Sequence, residues 1–203
     1  GAKTLVIGVA NRGGRFSDAW REVLTEALGM GYDLASGLHT LLRDQPELVR
    51  AAMGSGRELH DVRVPGIDYP IADGRKRTGK RVLAIGTDCS VGKMYTSLAM
   101  DREMAARGLK STFRATGQTG ILITGGGVPL DAVIADFMAG AVEWLTPDNA
   151  SDHWDHIEGQ GSLFHPSFSG VTMALIHGGQ PDALILAHEP TRTHMRGLPD
   201  YGL

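Results

Sequence analysis

Residues 86–93 read GTDCSVGK, and this stretch decides the fold class. It follows the apolar run 82–85 and precedes the helix-like segment 94–106. A buried strand, a glycine-bounded loop and a helix N-terminus together form an anion cradle, because the loop N–H groups, the helix dipole and the Lys93 ammonium all present positive charge. The stretch therefore predicts a loop that binds the phosphate of a nucleotide or of a carrier such as coenzyme A.

The bulk composition argues against several classes of function. The chain has 203 residues, enough for one large or two small domains with a sizeable core. Its 20 basic and 23 acidic side chains give a net charge of −3, which argues against a nucleic-acid-binding surface. No apolar run of the sequence approaches the roughly 20 residues that span a bilayer, so no membrane partner is predicted. The single cysteine excludes an internal disulfide and predicts a cytoplasmic location.

The first 64 residues alternate between strand and helix patterns and are predicted to form a small α/β domain. Residues 65–80, rich in proline, glycine and charge, are predicted to be a linker. Because the chain begins with Gly-Ala and ends in a proline- and glycine-rich turn, we expect pieces to be missing at both ends. The predicted elements are strands over 4–10, 32–36 and 59–64, a glycine loop over 11–15, and helices over 18–30 and over 46–53 with its end at Gly54.

Residues 81–203 repeat the alternation more strongly and are predicted to form a second domain around the phosphate loop. Strands that alternate with helices imply a parallel sheet with right-handed crossovers, and ligands then bind beyond the carboxyl ends of its strands. The predicted strands are 81–85, 110–115, 156–158 and a buried strand 182–187, and the predicted helices are 91–107, 129–145 with Pro129 near its first position, and 168–177.

The phosphate loop departs from the standard pattern G-x-x-x-x-G-K-[ST] at two positions. Thr87 stands at the first glycine position, and Met94 replaces the hydroxyl residue that normally binds Mg²⁺. The string still resembles the loop of the dethiobiotin synthetase group, and the segment EGQG that begins at Glu158 resembles that group's E-G-A-G segment. We therefore predict phosphate binding here, and we do not predict ATP hydrolysis.

Polar side chains follow the predicted strands at the edge where ligands bind. Arg114 lies late in one predicted strand and Gln118 comes after it, and their guanidinium and amide groups suit a carboxylate. Residues 188–196 follow the last strand and supply two further arginines with histidines and a glutamate as proton acceptors. A capping loop with surface charges remains the alternative for 188–196, and a flexible glycine-rich loop remains the alternative for 116–120.

Histidines near residue 155 raise the question of a metal site. His153 and His156 form an H-x-x-H pair with Asp152 and Asp155 close by, and His165 follows. That spacing is no recognised zinc pattern unless the fold adds further ligands. We therefore predict no metal site.

Long motifs over the second domain resemble one family closely. They read GTDCSVGK, RATGQTGILI, GGGVPLDAVIADF, EGQGSLFHPSFSGVT and HGGQPDALILAHEPTR, and a looser match runs through 3–14. The resemblance is to a two-domain P-loop family, formerly of unknown function, that includes bacterial D-glutamate N-acetyltransferases. It implies a Rossmann-like N-terminal domain, a P-loop domain, a homo-oligomer, and transfer of the acetyl group of acetyl-CoA to the amine of D-glutamate.

The implied activity assigns roles to particular residues. The loop would hold the phosphates of coenzyme A without Mg²⁺, through Gly86, Thr87, Asp88, Cys89, Ser90, Val91, Gly92, Lys93 and Met94. The substrate ammonium must lose a proton, and the candidate bases are Glu158, His188 and Glu189. The candidate substrate-binding residues are Arg114, Gln118, Thr119, Arg192 and Arg196. Two alternatives stay open: an ATP- and Mg²⁺-dependent enzyme of the dethiobiotin synthetase kind, and a nucleotide-binding protein without catalysis.

Overall fold

A computed structural model of the chain describes residues 1–9 and 14–203. The contacts divide the chain into two compact units, Gly1–Val64 and Pro65–Leu203. Residues 10–13, which include the end of the predicted strand 4–10 and most of the predicted glycine loop, lie outside the described residues. No helix in the described ranges is both long and apolar enough to cross a membrane.

In its described residues the first unit has a three-stranded parallel sheet and two α-helices. Its strands are β1 (Thr4–Ile7), β2 (Asp33–Ser36) and β3 (Leu59–Asp61), in the spatial order β1-β2-β3. The helices are α1 (Asp18–Gly29) and α2 (Pro46–Ser55). Leucines from sheet and helices form its core, namely Leu24, Leu28, Leu34, Leu42 and Leu48. The alternation of strand and helix confirms the predicted α/β pattern.

Two capping residues, Ser17 and Gly56, explain where α1 begins and where α2 ends. Ser17 caps α1 because its side-chain oxygen accepts a hydrogen bond of 3.3 Å from the N–H of Trp20. The prediction that the next helix ends at Gly54 was wrong. Gly54 lies inside α2, and Gly56 ends the helix because it adopts the left-handed conformation, with φ of 65°.

The second unit is a four-stranded parallel sheet flanked by helices. Its strands are β4 (Lys80–Gly86), β5 (Ser111–Arg114), β6 (Trp154–Ile157) and β7 (Ala183–Ala187), in the order β5-β6-β4-β7. The helices are α3 (Lys93–Ala106), α4 (Gln118–Thr124), α5 (Ala135–Leu145) and α6 (Ser169–Gly179). β4 lies between β6 and β7, and the loop that follows it therefore opens at the middle of the sheet edge.

The predicted helix 129–145 was wrong in its first part. Leu130–Ala132 form a single 3-10 turn, Val133 and Ile134 are extended with ψ near 138° and 139°, and α5 begins only at Ala135. The reason lies with Leu130, whose N–H has its partner on the neighbouring loop, while the N–H groups of Ala132 and Val133 bond within the segment. Leu130 donates to the backbone oxygen of Thr116 over 3.0 Å, so the chain is held against the sheet edge instead of coiling.

Two further expectations differ from the structure. The loop expected after β5 contains the helix α4, which is flanked by the capping glycines Gly117 and Gly125. The strand 182–187 was expected to be buried, yet β7 exposes Leu184 and Leu186 by 52% and 57%. Within the described chain β7 pairs with β4 alone, so one side of this strand lies open.

The segment 65–80, which we expected to be a linker, packs within the second unit. Tyr69 belongs to the core beside Leu83 and Leu145. The Arg77 guanidinium is buried and donates to the backbone oxygen of Thr146 over 2.7 Å. These contacts place the segment in the second unit.

Candidate functional site

The phosphate loop begins where β4 ends and closes at the first turn of α3. Gly86 ends the strand, and a side chain there would lie 2.9 Å from the backbone oxygen of Asp88, so the turn needs a glycine. Ser90 and Gly92 have φ of 55° and 97°, which wraps the loop tightly before Lys93 starts the helix. The strand, loop and helix predicted from residues 86–93 are therefore present.

Lys93 is a buried cation at the base of this loop. It is only 6% exposed, and its Nζ donates a hydrogen bond of 2.9 Å to the backbone oxygen of Asp88. Burial lowers the pKa of the ammonium, since a desolvated charge is costly. An anion bound in the loop would relieve that cost, which is the physical reason to expect a phosphate beside Lys93.

A cavity of about 460 Å³ joins the phosphate loop to the ends of β5 and β6. That volume is in the range of ordinary small-molecule sites. Its lining includes the predicted residues Cys89, Ser90, Gly92, Lys93, Met94, Gln118, Thr119 and Glu158. It also includes Gly159, Gln160 and Gly161 of the EGQG segment. The lining residues that sequence reasoning did not select are Tyr95, Asp131, Phe168 and Val171.

Glu158 is the buried acid of this cavity. It follows β6 and is 3% exposed, and its Oε2 accepts hydrogen bonds from the N–H groups of Thr116 (2.9 Å) and Gly117 (3.1 Å). Burial raises the pKa of Glu158 to about 7, against the lowering effect of these two bonds, and the charge of Asp131 raises it further. A carboxylate with this pKa can hold or release a proton near neutral pH.

Two glycines at the start of α4, Gly117 just before the helix and Gly120 in its first turn, make room for that carboxylate. A side chain on Gly120 would meet Oε2 of Glu158 and would lie 3.1 Å from the Cβ of Ala115. A side chain on Gly117 would meet the amide of Gln160, which donates to Oε1 of Glu158 over 3.3 Å. The glycines that suggested a flexible loop thus form a slot that fixes the acid.

Arg192 and Arg196 lie against the back of the phosphate loop. Arg192 Nη1 donates to Oδ2 of Asp88 and to the backbone oxygen of Cys89, each over 2.6 Å. The backbone N–H of Arg196 donates to the same Oδ2 over 2.7 Å. Burial raises the pKa of Asp88, but the bonds from Arg192, Arg196 and Cys89 outweigh it and hold the pKa below its usual value.

The structure places the other predicted residues outside the lining of the cavity. His188 Nδ1 lies 3.0 Å from the hydroxyl of Thr87. Glu189 accepts a hydrogen bond of 2.6 Å from the hydroxyl of Thr191, which lowers the pKa of Glu189. Arg114 Nε donates to Oδ1 of the buried Asp155 over 2.7 Å, across β5 and β6. Their catalytic or substrate-binding roles stay predictions.

One group of possible metal ligands occurs in the described ranges: Asp88, Cys89 and His165, with ligand atoms within 4.8 Å of one another. Both nitrogens of His165 already have partners, since Nδ1 accepts from the N–H of Ser167 and Nε2 donates to the backbone oxygen of Arg196. Both oxygens of Asp88 accept hydrogen bonds as well. This donor set does not suit a cation without rearrangement. His153 and His156 are not part of it.

Two family models match the chain. Residues 1–65 match the Rossmann-like "Domain of unknown function (DUF1611_N)", and residues 70–203 match the P-loop "Domain of unknown function (DUF1611_C)". A solved structure, titled as a DUF1611 family protein from Anabaena variabilis, superposes with a TM-score of 0.90 at 42% identity, over 98% of this chain and 59% of that one. These matches confirm the predicted fold class and the predicted family.

Two curated relatives carry the name D-glutamate N-acetyltransferase. The protein of Tritonibacter scottomollicae is 79% identical over 201 residues, which is 99% of this chain and 60% of that protein. The protein of a Pseudoalteromonas species is 52% identical over 198 residues, which is 98% of this chain and 60% of that protein. The chain thus spans about 60% of the length of the curated relatives that it matches.

Proposed function

We propose a function from the premise that this chain belongs to the two-domain DUF1611 family, with a Rossmann-like and a P-loop domain. The function is N-acetyl transfer from acetyl-CoA to the amine of D-glutamate. The names of two relatives support this reaction. The observation that carries it is that Lys93 and Glu158 line one cavity, so a buried cation for phosphate and a base for an amine share a site.

The phosphate loop is assigned to the acyl donor, which is a substrate of the reaction. Coenzyme A carries a pyrophosphate, and the loop N–H groups, the α3 dipole and Lys93 suit that anion. Met94 lines the cavity where a P-loop enzyme would place its Mg²⁺-binding hydroxyl. A pyrophosphate held by backbone groups and Lys93 needs no such hydroxyl, and this favours a carrier over ATP·Mg²⁺.

Glu158 is assigned as the general base. Its carboxylate takes one proton from the substrate ammonium, and the free amine nitrogen then attacks the thioester carbonyl carbon. The carbon–sulfur bond breaks, the coenzyme A thiolate leaves, and it takes up the second proton of the nitrogen. A pKa of about 7 leaves roughly half of Glu158 ionised at neutral pH and ready to accept a proton.

Gln118 and Thr119 are assigned to the polar groups of the amino acid or to the developing oxyanion, because both line the cavity at the start of α4. Arg114 and Arg192 already pair with Asp155 and Asp88, so their assignment to the substrate carboxylates has less support. A cytoplasmic location and a homo-oligomeric state stay predictions.

Calorimetric titration separates this function from its alternatives. The protein is titrated with acetyl-CoA in EDTA and, separately, with ATP in excess Mg²⁺. We expect binding of acetyl-CoA in EDTA, and weaker binding in Lys93→Met, with Lys80→Met as the control for loss of an exposed lysine. Tight binding and hydrolysis of ATP·Mg²⁺ without binding of acetyl-CoA would instead indicate an enzyme of the dethiobiotin synthetase kind. ATP binding without turnover would indicate a nucleotide-binding protein.

A further inference from the structure

We propose that Arg192 is a positioning residue that, together with Asp88, holds the phosphate loop in its ligand-binding shape before any ligand arrives. The inference rests on the proposed function only in assigning a phosphate-bearing ligand to the loop. It gives Arg192 a role different from binding the carboxylates of the substrate.

The first observation is that one guanidinium spans three successive residues of the loop. Arg192 Nη1 donates to the carboxylate of Asp88 and to the backbone oxygen of Cys89, and Nη2 donates to the backbone oxygen of Ser90 over 3.3 Å. The planar fork of an arginine can hold several acceptors in one fixed arrangement, whereas the single ammonium of a lysine cannot. The contacts therefore fix the loop by shape as well as by charge.

The second observation is that the carboxylate of Asp88 is buried and hydrogen-bonded at both oxygens. It accepts from Arg192, from the N–H of Arg196 and from the N–H of Cys89. The charge of Arg192 is thus largely balanced by Asp88, and it adds little net attraction for an anion. Lys93 remains the cation that faces the cavity.

The third observation concerns the direction of the peptide groups. In a trans peptide the carbonyl and the following N–H point in opposite directions. Since the carbonyl oxygens of Cys89 and Ser90 face Arg192, the N–H groups of Ser90 and Val91 point away from it. Cys89 and Ser90 also line the cavity. Arg192 therefore leaves loop N–H groups free for a phosphate.

The lone cysteine of the chain makes this inference testable without any ligand. Cys89 lies inside the loop and is partly buried, and burial raises the pKa of its thiol, so the native thiol should react slowly with a disulfide reagent. The variants are Arg192→Met, which removes the guanidinium, and Arg192→Lys, which keeps the charge and loses the fork. The matched control is Arg102→Met on the exposed side of α3.

We expect Cys89 labelling to be at least about tenfold faster in both Arg192 variants and unchanged in Arg102→Met, because the loop opens locally. The dissociation constant of coenzyme A in EDTA should rise by at least about tenfold in both variants. In turnover, the KM for acetyl-CoA should rise with little change in the KM for D-glutamate. If Arg192→Met fails to fold, Arg192→Lys decides by the same measurements.

Unchanged labelling in both variants would overturn the inference. If coenzyme A binding were weaker in Arg192→Met alone and Cys89 labelling were unchanged, the inference would also be wrong. That pattern would indicate that the Arg192 guanidinium contacts the ligand directly through its charge. Failure of the wild-type protein to bind coenzyme A would count against the proposed function, while the labelling rates would still decide whether Arg192 holds the loop.

Discussion

The carboxylate of Glu158 is tied to the backbone N–H of Thr116 by a hydrogen bond of 2.9 Å. The residue after β6 and the residue two places after β5 are thereby joined across the edge of the sheet. The bond holds Oε2 in the slot formed by Gly117 and Gly120, and Glu158 lines the same cavity as Lys93 of the phosphate loop. A buried acid of raised pKa is thus held in a fixed orientation in the cavity that Lys93 also lines.

The rate of transfer should follow the ionisation of Glu158. Because burial raises its pKa to about 7 and a base must be ionised, kcat/KM for D-glutamate should rise with pH and level off above about 7. Glu158→Gln should lower kcat by about 10²- to 10⁴-fold and abolish this rise. Glu103→Gln on the exposed side of α3 is the control. A rise with the same midpoint in Glu158→Gln would assign the base to another group.

The free energy of unfolding should also depend on pH through Glu158. It should fall as pH rises, whereas the rate of transfer should increase. The folded state raises the pKa of Glu158 from 4.5 to about 7, so between these values the native protein binds more protons than the unfolded chain. The contribution of Glu158 to the free energy of unfolding is therefore present below pH 4.5 and declines by about 3 kcal/mol as pH rises through 7. Urea denaturation of wild type and Glu158→Gln at several pH values measures the difference. A difference that stays constant with pH would contradict the raised pKa.

Gly120→Ala should damage the site more than the fold. The new methyl group would meet Oε2 of Glu158, so the carboxylate must move, and we expect kcat to fall by at least about tenfold. Gly170→Ala in the first turn of α6 is a matched control because a Cβ there meets nothing within 4 Å. That control should keep its activity and gain up to about 1 kcal/mol of stability. Equal activity of the two variants would show that the slot does not matter.

Arg114→Met should act on stability. Arg114 pairs with Asp155, whose side chain is 1% exposed, and loss of the arginine leaves a buried carboxylate without its charged partner. We expect the free energy of unfolding to fall by about 3 kcal/mol, with the KM for D-glutamate within about twofold of wild type. Chemical denaturation and steady-state kinetics provide the two measurements. A raised KM for D-glutamate with an unchanged free energy of unfolding would indicate that Arg114 binds the substrate.

The sequence predicted the fold where local signals agree. The apolar run of β4, the glycines of the loop and the helical pattern of α3 all indicate the same strand-loop-helix unit, and the unit is present. Glu158 was selected because it stands at the end of a predicted strand and begins the EGQG segment, and the structure places it in the cavity with the loop. Residues at strand ends are predictable in this way because parallel strands share one ligand-binding edge.

Sequence-based assignment is unreliable where a residue's partner lies far away in the sequence. Arg114 and Arg192 were assigned to substrate on residue type, but their partners Asp155 and Asp88 lie 41 and 104 positions away in sequence. The glycines around Gly120 suggested a flexible loop because nothing local reveals that Glu158 needs the space. Pro129 suggested a helix start, although the backbone of Thr116 captures the next N–H. The spacing of residues in the sequence does not reveal such contacts.

The stoichiometry of the two products is the most direct test of acetyl transfer from acetyl-CoA to D-glutamate. The protein is incubated in EDTA with acetyl-CoA and either D- or L-glutamate, and N-acetylglutamate and free coenzyme A thiol are measured together. The account predicts equal amounts of both products with D-glutamate, and loss of both in Glu158→Gln. Protein that binds acetyl-CoA yet forms neither product from D-glutamate, or that forms them equally in Glu158→Gln, would contradict it.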